Sequence, residues 1–255
     1  LNKDFYDIAR KNDWVDLSSF WSWPINQILD DVKKIPEHMW SKPFNGGNKE
    51  KGKGYNNIQS NIDLPGTEEG TELIKARGWK SVMFLNETGN SDDQILKFDA
   101  LYKNEWEYRE RLKYVYDVRK WTNMTEFSPT LKTFFEEEIF PYIGVAYIFV
   151  TALEPGGIIT EHNDIPSGSA PILHDEKLHA YDMCNVFNLC LNDVKSCHAV
   201  FNGKVMPSYD GCMMWTNTGK QHWVVNMNKE PQYKIIFQGF FKKRFREKVV
   251  KELYK

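Results

Sequence analysis

Apolar and polar positions follow two different rhythms along this chain. Up to about residue 140 they recur at helical spacing or with no period. From Tyr142 onward they fall into short β-branched and aromatic runs punctuated by turn residues. In the first part Ile25, Ile28, Leu29 and Val32 share one side of a 3.6-residue period, so a helix is predicted just after Trp21, Trp23 and Pro24. A short helix is also predicted over 4–12. Thr67 can cap one from Glu68 to about Ala76, and Ser91 one from Asp92 to about Leu101. Ser128 followed by Pro129 supplies a cap and a first-turn proline for Thr130 to Ile139, and Pro141 stops that helix.

In the second part, Gly144 to Leu153 reads as a strand that ends at a turn, Pro155-Gly156-Gly157. Asn185–Leu191, Ala199–Phe201, Gly211–Trp215, His222–Asn226 and Tyr233–Phe240 read as further short strands. Asn202-Gly203, Asp210-Gly211 and Asn217-Thr218-Gly219 are the turns between them. Short strands at this frequency predict a jelly roll or barrel, not a βαβ sheet. After Phe241, residues 242–253 read as a basic helix with Phe245, Val249 and Leu253 inward. The expected organisation is a single α+β domain over 1–255 with a mainly β core. Residues 1–141 form a helical or irregular elaboration, 142–241 a double-stranded β-helix (jelly roll, cupin-like) and 242–255 a C-terminal helix.

Composition narrows the partners. Apolar residues make up 41% of the 255 residues and aromatics 15%, enough for a sizeable core. Trp14, Trp21, Trp23 and Trp40 are expected to pack the helical layer on the sheet. A net charge of −2 gives no global field toward nucleic acid. No apolar run is long enough to span a membrane. Cys184, Cys190, Cys197 and Cys212 form no CxxC pair, so they are expected to be free thiols in a reducing, cytoplasmic setting. In that setting the sequons at Asn86 and Asn123 carry no meaning. The N-terminal residues have no apolar core of a signal peptide.

The candidate chemistry begins at Glu154-Pro-Gly-Gly-Ile-Ile-Thr-Glu-His-Asn-Asp164. His162 and Asp164 are two apart, and in an extended chain such side chains share a face. An imidazole and a carboxylate converging in this way are two-thirds of the 2-His-1-carboxylate set that holds non-haem Fe(II) with open positions. His222, which opens a later strand, is the candidate third ligand. Lys234 lies on the next expected strand, on one face with Ile236 and Gln238. A cation on the inner face of an apolar barrel is costly unless paired. A dicarboxylate such as 2-oxoglutarate would supply that pair.

These segments, with Gly211-Cys-Met-Met-Trp-Thr-Asn-Thr-Gly-Lys-Gln-His-Trp-Val-Val-Asn226 and Tyr233-Lys-Ile-Ile-Phe237, resemble the aspartyl/asparaginyl β-hydroxylase-like Fe(II)/2-oxoglutarate oxygenases, a group that includes free-proline hydroxylases. The resemblance spans roughly residues 145–241. It implies that His162, Asp164 and His222 are the iron ligands and that Lys234 holds the distal carboxylate of 2-oxoglutarate. The family usually has Arg at the Lys234 place, and Lys lacks its bidentate fork. Asn188 stands near a family His and is implied to hydrogen-bond a cosubstrate carboxylate. The implied reaction uses Fe(II), 2-oxoglutarate and O2 to hydroxylate an unactivated C–H of an amino acid, a peptide side chain or a small metabolite.

Two other classes stay open: a non-catalytic cupin-like metal- or ligand-binding module, and a metal-dependent isomerase or hydrolase on the same fold. His174 and His179 lie in an expected insertion over 165–183 that reads as a surface loop, with a lid as the alternative. His38 and His198 are expected to be exposed. Gly47-Asn-Lys-Glu-Lys-Gly-Lys-Gly54 partly mimics a phosphate-binding loop. It lacks the final Ser/Thr and a preceding strand, so the 45–57 segment reads as a solvated loop.

Overall fold

A computed structural model describes residues 11–40, 76–86, 88–91, 119–162, 185–193, 195–218, 220–242 and 244–245. The helix expected at 92–101, nearly all of those at 4–12, 68–76 and 242–253, the 45–57 loop, the 165–183 segment, Cys184 and Asp164 lie outside these residues.

Helix α1, Ile25–Lys33, buries Ile28 and Val32, as its apolar period requires. Helix α2, Pro129–Phe134, starts where expected: the Ser128 hydroxyl accepts from the Leu131 N–H at 3.4 Å, and Pro129 occupies the first turn. It runs on as a π turn, Phe135–Ile139, which turns Phe135 and Ile139 inward.

The strands are β1 (Trp14–Asp16), β2 (Ala76–Asn86), β3 (Lys120–Trp121), β4 (Ile143–His162), β5 (Asn185–Cys190), β6 (Cys197–Phe201), β7 (Lys204–Val205), β8 (Met213–Thr216), β9 (His222–Asn226) and β10 (Gln232–Phe241). All described pairings are antiparallel, in the order β1-β8-β5-β10-β4-β9-β6-β7, with β2 on the other edge of β4 and β3 beyond it. The long strand β4 explains how one sheet becomes two. Its first half pairs with β10 and its second half with β9. The sheet folds over between those halves, and β9, β6 and β7 face β5, β10 and β8. Cys190 and Met214 from one layer and Ala199 and Phe201 from the other meet in one buried cluster. The fold is a double-stranded β-helix, a cupin-like jelly roll.

The structure differs from the sequence reading in the first part of the chain and at the Pro-Gly-Gly turn. Three strands, β1, β2 and β3, come from the part expected to be helical or irregular, and β2 pairs along β4 from Ala76↔Ile159 to Leu85↔Ile148. The Pro155-Gly156-Gly157 turn bends the chain without reversing it, and β4 continues through it to His162. Gly156 takes φ +71 at this point, and a Cβ on Gly157 would lie 2.6 Å from Leu153 Cδ1 and 2.7 Å from the Glu154 carbonyl oxygen. The glycines let the strand bend here, and strand partners on both flanks carry it onward in the same direction. Gly157→Ala is expected to cost about 1–3 kcal/mol, because the backbone carbonyl has no cheap way to move. Chemical denaturation of the variant checks this.

The outer face of the β5-β10-β4 layer carries the main core. Ile235 and Phe237 of β10 meet Phe135, Phe187 and the N-terminal elements there. Trp21, Trp23 and Trp40 pack in this layer as expected. Trp21 stacks on Phe245 at 5.5 Å, and Trp23 on Phe134 at 3.9 Å. Trp14 does not join them. It sits on β1 and meets Phe201 of the inner cluster edge-on at 6.4 Å. Among the described residues no helix is long and apolar enough to cross a membrane.

Candidate metal centre

His162 ends β4 and His222 opens β9. They are directly opposed in register, and their ring centroids are 4.2 Å apart. Simple alternation would not bring them together. Ile159 pairs with Val224, so a regular ladder would put Glu161 opposite His222. A register shift between Ile159 and His162 inserts one residue, so His162 takes that face and Glu161 is exposed. A bulge of this kind re-aims a side chain at the cost of one unpaired backbone position. His222 shares its strand face with Val224, which packs on the inner cluster.

Each ring is also held by a backbone carbonyl two residues before it. The His162 Nδ1–H donates to the Thr160 carbonyl at 2.7 Å, and the His222 Nδ1–H donates to the Lys220 carbonyl at 2.9 Å. A carbonyl only accepts, so each contact places a proton on Nδ1. In the neutral ring Nε2 is then the nitrogen whose lone pair a metal takes. Orientation by a carbonyl on the far ring nitrogen is the arrangement found at metal-ligating histidines. Both rings are buried, at 9% and 7% exposure. The Phe201 ring stacks on His222 at 4.9 Å and 8°. The Asn226 side-chain amide donates to the Leu153 and Glu230 carbonyls, both at 2.8 Å, which ties the far end of β9 to β4. Two imidazoles presented in this way fit a divalent iron. Among the described residues no group of three metal-ligating side chains occurs, and the expected third ligand, Asp164, lies outside them.

Lys234 is half-buried on β10, opposite Thr151 on one side and Cys190 on the other. Among the described residues it has no carboxylate partner. Lys80 shows the contrast: on the outside of the barrel it meets Glu154 at 2.6 Å, Glu37 at 2.8 Å and the Trp40 ring at 5.1 Å. The Lys234 charge is felt instead by Cys190, Cys197 and Cys212, thiols from both layers. The Cys190 thiol donates to the Asn192 carbonyl at 3.1 Å. The neighbouring Cys212 thiol, then burial, pushes Cys190 up against the pull of Lys234, and the Cys190 thiol lowers Cys212 despite burial, helped by the Tyr209 N–H and Lys234. Cys197 is raised, chiefly by burial. Cys190, Cys197 and Cys212 are free thiols, as the sequence suggested.

Asn188 lies on the same inner face as Lys234, opposite Ile236, and donates to the Thr216 hydroxyl at 2.9 Å. That bond fixes the amide and uses one of its two N–H groups. His38 is exposed as expected. His198 is half-buried on β6, facing away from His222. The sequence reading missed Phe201, the Thr160 and Lys220 carbonyls, and the bulge before His162. Only the Asn202-Gly203 hairpin signal pointed toward Phe201.

No protein-family model and no curated protein matches the sequence. Among solved structures, a 2OG-Fe(II) oxygenase family oxidoreductase from Burkholderia pseudomallei is similar over 92% of this chain and 88% of its own, at 9% identity and a TM-score of 0.49. A predicted oxalate decarboxylase from Thermotoga maritima matches 38% of this chain and 68% of its own, at 15% identity and a TM-score of 0.27. A Cupin 2 conserved barrel domain protein from Salinispora arenicola matches 42% of this chain and 71% of its own, at 14% identity and a TM-score of 0.25.

Proposed function

We propose that this protein is an Fe(II)/2-oxoglutarate-dependent dioxygenase that hydroxylates an unactivated C–H of an amino acid, a peptide side chain or a small metabolite. The observation that carries the reading is the opposed pair His162 and His222, each with Nδ1–H committed to a carbonyl. In this reading the two imidazoles and the Asp164 carboxylate hold Fe(II). Lys234 takes the far carboxylate of 2-oxoglutarate, where its charge has no carboxylate partner among the described residues. Asn188 contributes its remaining N–H to the same cosubstrate. Bound iron supplies O2 activation coupled to oxidative decarboxylation of 2-oxoglutarate to succinate and CO2.

The residues of this chain supply binding and orientation. The Thr160 and Lys220 carbonyls keep both rings in one tautomer, so no proton must move before the metal is bound. Phe201 excludes water from one side of His222. The inner cluster around Cys190, Met214 and Phe201 gives the cosubstrate stem an apolar surface.

Anaerobic addition of Fe(II) and 2-oxoglutarate tests the reading. Their chelate on the protein is expected to give a weak visible charge-transfer band, which decays with succinate formation when O2 is admitted. Absence of the band would favour a non-catalytic binding module. Turnover of a substrate without O2 would favour an isomerase or hydrolase.

A further inference from the structure

Asp13 is a carboxylate with only 6% exposure at the start of β1, far from His162 and His222 in the sequence. Burying a carboxylate is costly unless it is paired, so its partners show what it secures. One oxygen accepts from Lys220 Nζ at 2.7 Å, and the other from Lys204 Nζ at 3.0 Å. Its backbone carbonyl also accepts from the Asn217 N–H at 3.0 Å, and the Lys220 N–H closes the turn onto the Asn217 carbonyl at 3.1 Å. The turn from Asn217 to Lys220 is thus held at both ends by one residue.

Both lysines lead to His222. The Lys220 carbonyl receives the His222 Nδ1–H. Lys204 pairs in register with Phe201, whose ring stacks on His222, and Trp14, next to Asp13, packs on that same ring. The Lys204 arm is weak, because its side chain is 68% exposed and screened by water. The Lys220 arm is the stronger, with its side chain at 25%.

We infer that Asp13 is a positioning residue for His222: through Lys220 it fixes the carbonyl that sets the ring's tautomer and aim. Burial works against ionisation of Asp13, yet the Lys220 and Lys204 hydrogen bonds and charges hold it below the ordinary carboxylate range, so the clamp is charged at neutral pH. The consequence for metal affinity rests on His222 being an iron ligand; the consequence for the ring does not.

The test uses the full chain, metal-free, with nitrogen-15 in its histidines. Ring correlations report the tautomer of each histidine, assigned with His162→Gln and His222→Gln. In wild type both rings are expected as the Nδ1–H form. In Asp13→Asn the His222 ratio should move toward Nε2–H by about threefold or more, the effect of a weakened hydrogen bond, while His162 stays unchanged because its Thr160 partner is independent of Asp13. Lys220→Met should reproduce the shift and decides the matter if Asp13→Asn does not fold. Lys204→Met should have the smaller effect. Anaerobic titration with Co(II), followed by its visible bands, should show affinity about 10- to 100-fold weaker in Asp13→Asn. An unchanged His222 tautomer in a folded variant with a lowered melting temperature overturns the inference and leaves Asp13 as a staple for β1. Wild type that binds no Co(II) overturns the iron-ligand reading instead, and the tautomer readout alone then judges Asp13.

Discussion

Replacing His162 or His222 by Ala is expected to lower 2-oxoglutarate turnover by more than about a hundredfold. Loss of an outer partner of a metal ligand already costs about 10- to 100-fold, and loss of the ligand itself costs more. The main structural penalty is the cavity left by a buried ring, so circular dichroism should report a folded protein with a lower melting temperature. The anaerobic charge-transfer band should vanish in both variants. The double variant should be scarcely worse than either single one, because ligands that act as a unit are not additive. His198→Ala is the matched control. It lies on β6, pairs with Val225 and faces away from His222, so its turnover should stay near wild type. Iron-dependent succinate formation that persists in either ligand variant would sink the oxygenase reading.

The strand that His222 opens was legible in the sequence, and the bulge that aims His162 at it was not. A histidine opening an alternating run, followed by Trp223, Val224, Val225 and Asn226, marks β9 to the residue. Helix α1 and the Ser128-Pro129 start of α2 were equally plain, because period and capping are local signals. The bulge before His162 is different. It exists because β4 must meet β9 after bending at Gly156 and Gly157, and no residue at 160 or 161 announces it. The same holds for β2, whose pairing along β4 is a long-range choice. Asp13 is the extreme case: an isolated acidic residue before a three-residue strand carries no local signal, and only the folded chain brings it to Lys220.

Lys234→Met is expected to separate binding from stability, with opposite signs. The methylene stem is retained and the charge is lost. If the ammonium takes the far carboxylate of 2-oxoglutarate, the variant forfeits a charged hydrogen bond of about 1.5–3 kcal/mol, which raises the KM for 2-oxoglutarate about 10- to 150-fold. The group acts at the remote end of the cosubstrate, so kcat at saturation should change little. Lys234→Arg keeps the charge and should fall between the two. In the ligand-free protein the balance reverses. A half-buried ammonium among Cys190, Cys197 and Thr151, without a carboxylate partner among the described residues, is costly to hold on an inner face. Removing it should stabilise the fold by about 1 kcal/mol, a rise of about 2–4 °C in melting temperature for a domain of this size. Wild type should recover that deficit when 2-oxoglutarate and a divalent metal are added, and Lys234→Met should not, because only the charged form binds the dicarboxylate tightly enough to shift the equilibrium. Thermal melts with and without cosubstrate, together with the two KM values, measure every part of this. A Lys234→Met variant that is less stable without ligand and unchanged in KM would assign the lysine a packing role, and the cosubstrate would then have to find its cation elsewhere.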